Sequence, residues 1–394
     1  MMFKEKCASI NSSQIEKEFL ISCSRISIDE KLLDRIKRLA SSILDWQSLT
    51  YRASRHGVAQ FLYSHLPKID EVWGKIPEEC RNSLKQSYYN TLMRNTSIKI
   101  ELQKIITLLH KADKQIIVLK GASLLDTVYQ NIALRPMVDV DLLVKKKDLS
   151  EIKTILEDYG YCKPDFLSLD SLEKFGGEIH LCKRDISLDI HSSLAQYERF
   201  QDIFKIDLDE EIWDKSVVIK TQEGERRILH PDHLFMHLCL HQAIAHYFRG
   251  LFRFCDLRET ILAYQKEIDW QYIIAKAKTY RIRKIIYYSL SFMQELFGRV
   301  LPEDTLKRLK PRILSCFFVS KRNITSLPNE EIYFKKSVAQ LFLMDSLLVV
   351  PKIILRGLFP SNEWLKYRYG IDKKMKLIFY RIFHPFITVF NILS

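Results

Sequence analysis

An α+β fold, with a small mixed sheet held between two helical regions, follows from three patterns in the sequence. Apolar residues recur at helical spacing up to about residue 113, short strand-like runs crowd residues 114–222, and helical spacing returns over 223–394. These limits divide the chain into a helical N-terminal region (1–113), a mixed-sheet core (114–222) and a helical C-terminal region (223–394) suited to binding a substrate.

Each element has a local cause. Leu32, Leu33, Ile36 and Leu39 keep helical spacing in the first region. Gln115-Ile-Ile-Val-Leu119 is a short apolar run that ends in Lys120-Gly121, which predicts a buried strand entering a tight turn. Ser123 is placed to cap a helix running through Tyr129. Met137 to Val144 reads as a second strand, and Leu149, Ile152, Ile155 and Leu156 space the following helix, Asp148 to Tyr159. Gly176-Gly177 precedes two alternating runs, 178–182 and 186–191, and the polar Lys183-Arg-Asp185 between them predicts a hairpin. Past Gly224 the chain is expected to be helical again, opening on Pro231 at a first-turn position. The apolar stretch Val338 to Leu355 is broken by Asp345, Pro351 and Lys352, so it predicts a buried helix and no transmembrane span.

Charge and cysteine use narrow the partners. Lysine and arginine number 61 against 48 acidic residues, a net +13 that favours nucleotides, nucleic acid or an anionic membrane surface. Eight cysteines without a CxxC pair read as reduced thiols, and the polar start of the chain has no apolar signal core. Both point to the cytoplasm.

The chemistry sits on the strands. Alternation over Met137 to Val144 puts Asp139 and Asp141 on one face and Val138, Val140, Leu142 and Val144 on the other. Carboxylates this close repel unless a cation compensates, and hard oxygen ligands suit Mg²⁺ or Mn²⁺ bridging to nucleotide phosphates. A solvated acidic turn is the bland alternative, and apolar residues on both sides of each aspartate disfavour it. In Ile186 to His191, Ser187, Asp189 and His191 share a face, which makes Asp189 a third carboxylate. Gly121 and Ser123 lie where free N–H groups favour phosphate, and Lys120 and Arg135 add positive charge, as phosphate contacts or as salt bridges.

Three further groups are weighed against plainer roles. His233, His237 and His241 share a helix face, with structural packing preferred to metal binding because Phe235, Leu238 and Leu240 surround them. Arg253, Asp256 and Arg258 suit an internal ion-pair network or a substrate-facing helix. The basic, aromatic tail from Trp364 to Ile392 fits peripheral contact with an anionic membrane, RNA, or a helix packed on its own protein.

Leu119-Lys-Gly121, Arg135-Pro-Met-Val-Asp-Val-Asp-Leu-Leu-Val144 and Leu188-Asp-Ile-His191 resemble an uncharacterised nucleotidyltransferase family of the DNA-polymerase-β-like superfamily. Ala53-Ser-Arg-His-Gly-Val58 and Trp364-Leu-Lys-Tyr-Arg-Tyr-Gly370 extend the resemblance over most of the chain. It implies a polymerase-β-like core in which Gly121 and Ser123 border the triphosphate and Asp139, Asp141 and Asp189 hold two metal ions. It further implies in-line attack of an acceptor hydroxyl on the α-phosphate, with Asp189 as a base and pyrophosphate leaving. The turn reads Gly-Ala-Ser, where the superfamily usually has glycine or serine directly after the first glycine. The acceptor is open: small molecule, peptide, protein or RNA. Two other readings are a DxD-type glycosyltransferase and a non-catalytic protein that binds nucleic acid or membrane on the same fold.

Overall fold

The computed structural model describes residues 14–43, 45–162, 178–195, 200, 202–208, 210–311, 340–371 and 373–393. Six strands form one sheet: β1 (Ile116–Val118), β2 (Asp139–Val144), β3 (Glu178–Lys183), β4 (Ile186–His191), β5 (Val217–Lys220) and β6 (Glu225–Ile228). Their order across the sheet is β3-β4-β2-β1-β6-β5. The β2 and β4 strands are parallel neighbours, whereas β1 with β2, β3 with β4 and β5 with β6 are antiparallel. The mixed sheet and its helical flanks are the α+β class that the sequence predicts.

The sheet runs further along the chain than expected. Residues past Gly224 do not turn helical at once: Glu225–Ile228 forms β6, which pairs parallel with β1 through Val118 and Ile228. Its sequence, Glu-Arg-Arg-Ile, hides the strand because charged side chains dominate it. Arg226 is nonetheless buried, its guanidinium clamped on the Asp126 carboxylate and on Glu223. The glycine pair 176–177 lies outside the described residues, while the hairpin that it was expected to introduce is present as β3 and β4.

Helices pack on this sheet from both ends of the chain. Before it come α1 (Glu30–Ala40), α2 (Trp46–Arg55), α3 (Ala59–His65) and the 34-residue α4 (Glu78–Lys111). Inside it lie α5 (Lys120–Thr127) and α6 (Leu149–Asp158). After it come α7 (Pro231–Ile244), α8 (Leu251–Ala263), α9 (Trp270–Thr279), α10 (Arg283–Phe297), α11 (Val350–Leu358), α12 (Asn362–Tyr369) and α13 (Lys374–Leu393). One apolar core joins the N-terminal helices, the sheet and α7 to α10.

The long α4 fixes the approach to β2. Asn95 Nδ2 donates to the carbonyls of Ile132 and Arg135 at 2.6 and 2.8 Å, and Arg94 Nε donates to that of Met137 at 2.8 Å. Buried carbonyls of an irregular loop need such donors, so the segment that delivers Asp139 is pinned from one helix. Two local expectations change here. Ser123 does not cap a helix; α5 begins at Lys120, one turn earlier, and Ser123 lies within it. Val138 precedes the strand and is 72% exposed, so it is not part of the apolar face formed by Val140, Leu142 and Val144.

No helix among the described residues is long and apolar enough to cross a membrane. The described part of the apolar stretch, 340–355, is not one buried helix either. From Ser346 the chain makes a short turn into α11, and Leu348 is 90% exposed. Of the described cysteines, Cys23, Cys80, Cys162, Cys239 and Cys255 are free thiols.

Candidate active site

Parallel pairing of β2 with β4 sets Asp139 beside Ser187, Asp141 beside Asp189, and Leu143 beside His191. Partners in register share a sheet face, so one face carries carboxylates from two neighbouring strands. Asp141, Asp189 and His191 are all buried, and each offers a ligand atom within 4.8 Å of the others. Among the described residues this is the one group of three or more potential metal ligands. Asp139 stands two residues earlier on the same face, half-buried and outside that closest group.

Each buried carboxylate has a specific donor. Lys120 Nζ lies 2.6 Å from Asp141 Oδ1, and His191 Nε2 donates to the same oxygen at 2.8 Å. The sheet register also brings His180 across from Asp189, with Nδ1 2.6 Å from its Oδ1. His180 is a residue that the sequence reading passed over. The signal was available in the alternation of the hairpin, which places position 180 opposite 189. His191 was seen to share Asp189's face, but its contact with Asp141 needed the β2–β4 register.

Lys120 reaches Asp141 from an unusual backbone. Its φ is +42°, a region that a lysine seldom occupies and that is most often retained where the surroundings enforce it. The β1 end is tied to β2 by Leu119 N–H donating to the Asp141 carbonyl at 3.0 Å. Strand and helix entry thus deliver the ammonium directly onto the carboxylate. The Ser123 hydroxyl, by contrast, donates to the Lys120 carbonyl at 2.9 Å.

Gly121 is required by a close approach. A Cβ there would lie 2.3 Å from Arg135 Nη1 and 2.8 Å from Met137 Sδ. Arg135 itself grips Asp256 on α8: Nε lies 3.1 Å from both carboxylate oxygens and Nη2 lies 2.9 Å from Oδ2. Tyr129 donates its hydroxyl to Asp256 Oδ1 at 2.8 Å. Burial disfavours the guanidinium charge, but Asp256 outweighs it and holds the Arg135 pKa above its usual value. Burial, then the Asp256 charge, raises the Tyr129 phenol well above its ordinary range. Of the salt-bridge and phosphate roles, the salt bridge is the one seen for Arg135. Asp256 is likewise an internal ion-pair residue, and Arg258 pairs with Glu259.

The helix α7 closes the region from behind. His233 Nε2 meets the Tyr272 hydroxyl at 3.0 Å, a structural role. His237 is fully buried near Lys120, Asp141 and His191. Burial, reinforced by the Lys120 charge, pushes its imidazole well below the usual histidine range.

The donor chemistry suits a divalent cation. Two buried carboxylates lie side by side with an imidazole, each offering a ligand atom within 4.8 Å of the others, and like charges this close favour an added positive ion. Aspartate oxygens are the ligands that Mg²⁺ and Mn²⁺ prefer, with His191 orienting Asp141 through its hydrogen bond.

A mixed sheet whose parallel central strands set carboxylates side by side, with a glycine-bearing helix entry next to them, defines a nucleotidyltransferase core. Residues 42–298 match the family described as uncharacterised nucleotidyltransferase, and the chain belongs to that family. The match takes in all six strands and α2 to α10, whereas α11, α12 and α13 lie beyond it. No curated protein and no solved structure matches the chain.

Proposed function

We propose that this chain is a divalent-metal-dependent nucleotidyltransferase that moves a nucleoside monophosphate from an NTP to an acceptor hydroxyl and releases pyrophosphate. The observation that carries this reading is the convergence of Asp141, Asp189 and His191 on one buried sheet face.

Asp141 and Asp189 are the first ligands of Mg²⁺ or Mn²⁺ in this reading, with Asp139 completing the set from the same face. Bound there, the metal would polarise phosphate oxygens and offset the charge of the transferring group. The first turn of α5 offers backbone N–H groups at a helix N-terminus for the triphosphate at Gly121, and Ser123 borders it at the end of that turn. Lys120 supplies the positive charge nearest the carboxylates and balances Asp141 before substrate arrives.

In the transfer, a bond forms between the acceptor oxygen and the α-phosphorus while the bond from that phosphorus to the bridging oxygen of pyrophosphate breaks. The hydroxyl proton passes to Asp189, and His180, hydrogen-bonded to it and only partly buried, gives the proton a route outward. The remaining contribution is positioning and electrostatics.

A sugar-nucleotide transferase would need an α/β nucleotide-binding unit ahead of the DxD, and the described residues before β1 are helical. The discriminating experiment incubates the protein with each NTP, Mg²⁺ or Mn²⁺ and a metabolite extract, then seeks a one-nucleotide mass gain and pyrophosphate. The proposal expects both, and expects neither from Asp189→Asn. Absence of both with every NTP would leave the non-catalytic binding protein as the better reading.

A further inference from the structure

The C-terminal helix α13 is built inside out. Its inner face is polar: His384 Nδ1 meets the Tyr369 hydroxyl at 2.7 Å, and His384 Nε2 lies 3.2 Å from both the Gly357 carbonyl and the Thr388 hydroxyl. Tyr380 stacks on Tyr369 at 4.0 Å, and Arg381 reaches Asn362 at 3.3 Å. Those contacts seat α13 on α11 and α12. The opposite face carries Met375, Ile378, Phe379, Ile382, Phe383, Phe386, Val389 and Phe390, all exposed. A helix of a globular domain normally presents the reverse arrangement.

This stripe is continuous. At the α-helical rotation per residue, these positions fall within roughly 140° of arc. Phe386 is 69% exposed and Phe390 71% exposed. Leu355 and Phe359, at the end of α11, add further exposed apolar surface. Such patches mark interaction sites.

Charge identifies the partner. Lys374 and Arg381 flank the stripe on one side and Lys376 on the other, all exposed. The helix Lys374–Leu393 contains no acidic residue. From Val350 onward the sequence holds eight lysines and arginines against Glu363 and Asp372. A second copy seated on the stripe would bring like charges together. Anionic lipid headgroups complement the flanking cations, whose aliphatic stems would lie along the acyl boundary beneath. With no helix suited to crossing a bilayer among the described residues, the geometry is that of lying on one.

We propose that α13 docks this protein on the surface of an anionic lipid bilayer, its phenylalanine stripe entering the headgroup boundary and Lys374, Lys376 and Arg381 meeting the phosphates. The helix lies beyond the residues matched by the family, so the proposal is independent of the nucleotidyl-transfer reading.

The test is flotation of the full-length protein with phosphatidylcholine vesicles, with or without phosphatidylserine, alongside sedimentation velocity without lipid. Wild type should float with the anionic vesicles and release in high salt. The apolar variant Ile382→Asp/Phe386→Asp should stay at the bottom of the gradient. The charge variant Lys374→Gln/Lys376→Gln/Arg381→Gln should bind roughly fivefold more weakly per cation removed. Thermal melts accompany both variants; should the apolar variant lose its melt, the charge variant carries the decision. No flotation on anionic vesicles, or flotation that neither variant reduces, overturns the proposal. So does a lipid-free dimer that Phe386→Asp dissociates, since a second copy would then be the occupant.

Discussion

Lys120 and Gly121 are consecutive residues, yet they serve two buried ionic clusters of opposite construction. Behind Gly121, Arg135, Asp256 and Tyr129 form a closed set: one cation, one carboxylate and one hydroxyl, with every charge matched. Around Lys120, two buried carboxylates, Asp141 and Asp189, lie side by side with hydrogen bonds from Lys120, His191 and His180, and Asp139 stands nearby on the same face. The first cluster needs nothing more and fastens the entry to β2 onto α8. We propose that the second is completed by a divalent cation. One carboxylate matched to one guanidinium makes the clamp, whereas two carboxylates side by side on one sheet face make the candidate metal site.

The contrast can be broken from either side. The largest expected effect belongs to the open cluster: Asp141→Asn should lower nucleotidyl transfer by at least about 10³-fold, a loss of the size seen when preorganised electrostatics are removed. A pyrophosphate-release assay reads it. Activity within about tenfold of wild type would remove the functional half of the comparison.

Arg135→Met tests the closed half. Leaving Asp256 charged and buried should cost about 3–5 kcal/mol in urea unfolding, while adding Asp256→Leu to it should restore most of the loss. If the double variant is no better than the single, the cluster is not a self-contained pair. Gly121→Ala probes the seam between the two. Its methyl would meet Arg135 Nη1 at 2.3 Å, so the guanidinium must shift and stability should fall by about 1–3 kcal/mol. An unchanged melting temperature would show that the clamp yields freely.

Tyr129→Phe removes one hydrogen bond to a charged acceptor and should cost roughly 1.5–3 kcal/mol without affecting transfer. The smallest effect is expected at a half-buried carboxylate outside both clusters. Hydrogen bonds from Lys215 and Lys276 lower the Glu211 pKa from its ordinary 4.5 to about 2. A depressed folded-state value contributes stability that is present above pH 4.5 and is lost as pH falls toward 2. The pH dependence of unfolding in that window should therefore be shallower in Glu211→Gln, and identical curves would count against the lowered pKa.

Much of the open cluster is legible in the sequence, because period-2 alternation alone puts Asp139, Asp141 and Asp189 on strand faces. His191 follows from the same rule. Lys120 on Asp141 does not, since the contact depends on a backbone φ of +42° at a helix entry. The closed cluster is harder still. Arg135 and Asp256 are 121 residues apart, and no local pattern marks them as partners. The β5–β6 hairpin was missed because Arg226 and Arg227 mask a short strand, and burial of Arg226 rests on the distant Asp126. For α13 the spacing of apolar residues was visible, but the same stripe suits a buried helix or an exposed one. Only its packing partners, Tyr369 and the Gly357 carbonyl on the polar side, decide which face is left outside.

The central claim is that Asp141 and Asp189 together take up a divalent cation with the nucleotide. Calorimetric titration of Mn²⁺ into the protein with a non-hydrolysable NTP analogue tests it most directly. The account predicts saturable binding in wild type and binding weakened by at least about tenfold in Asp141→Asn and in Asp189→Asn. Equal Mn²⁺ affinity in all three proteins, or no binding by wild type, would contradict it.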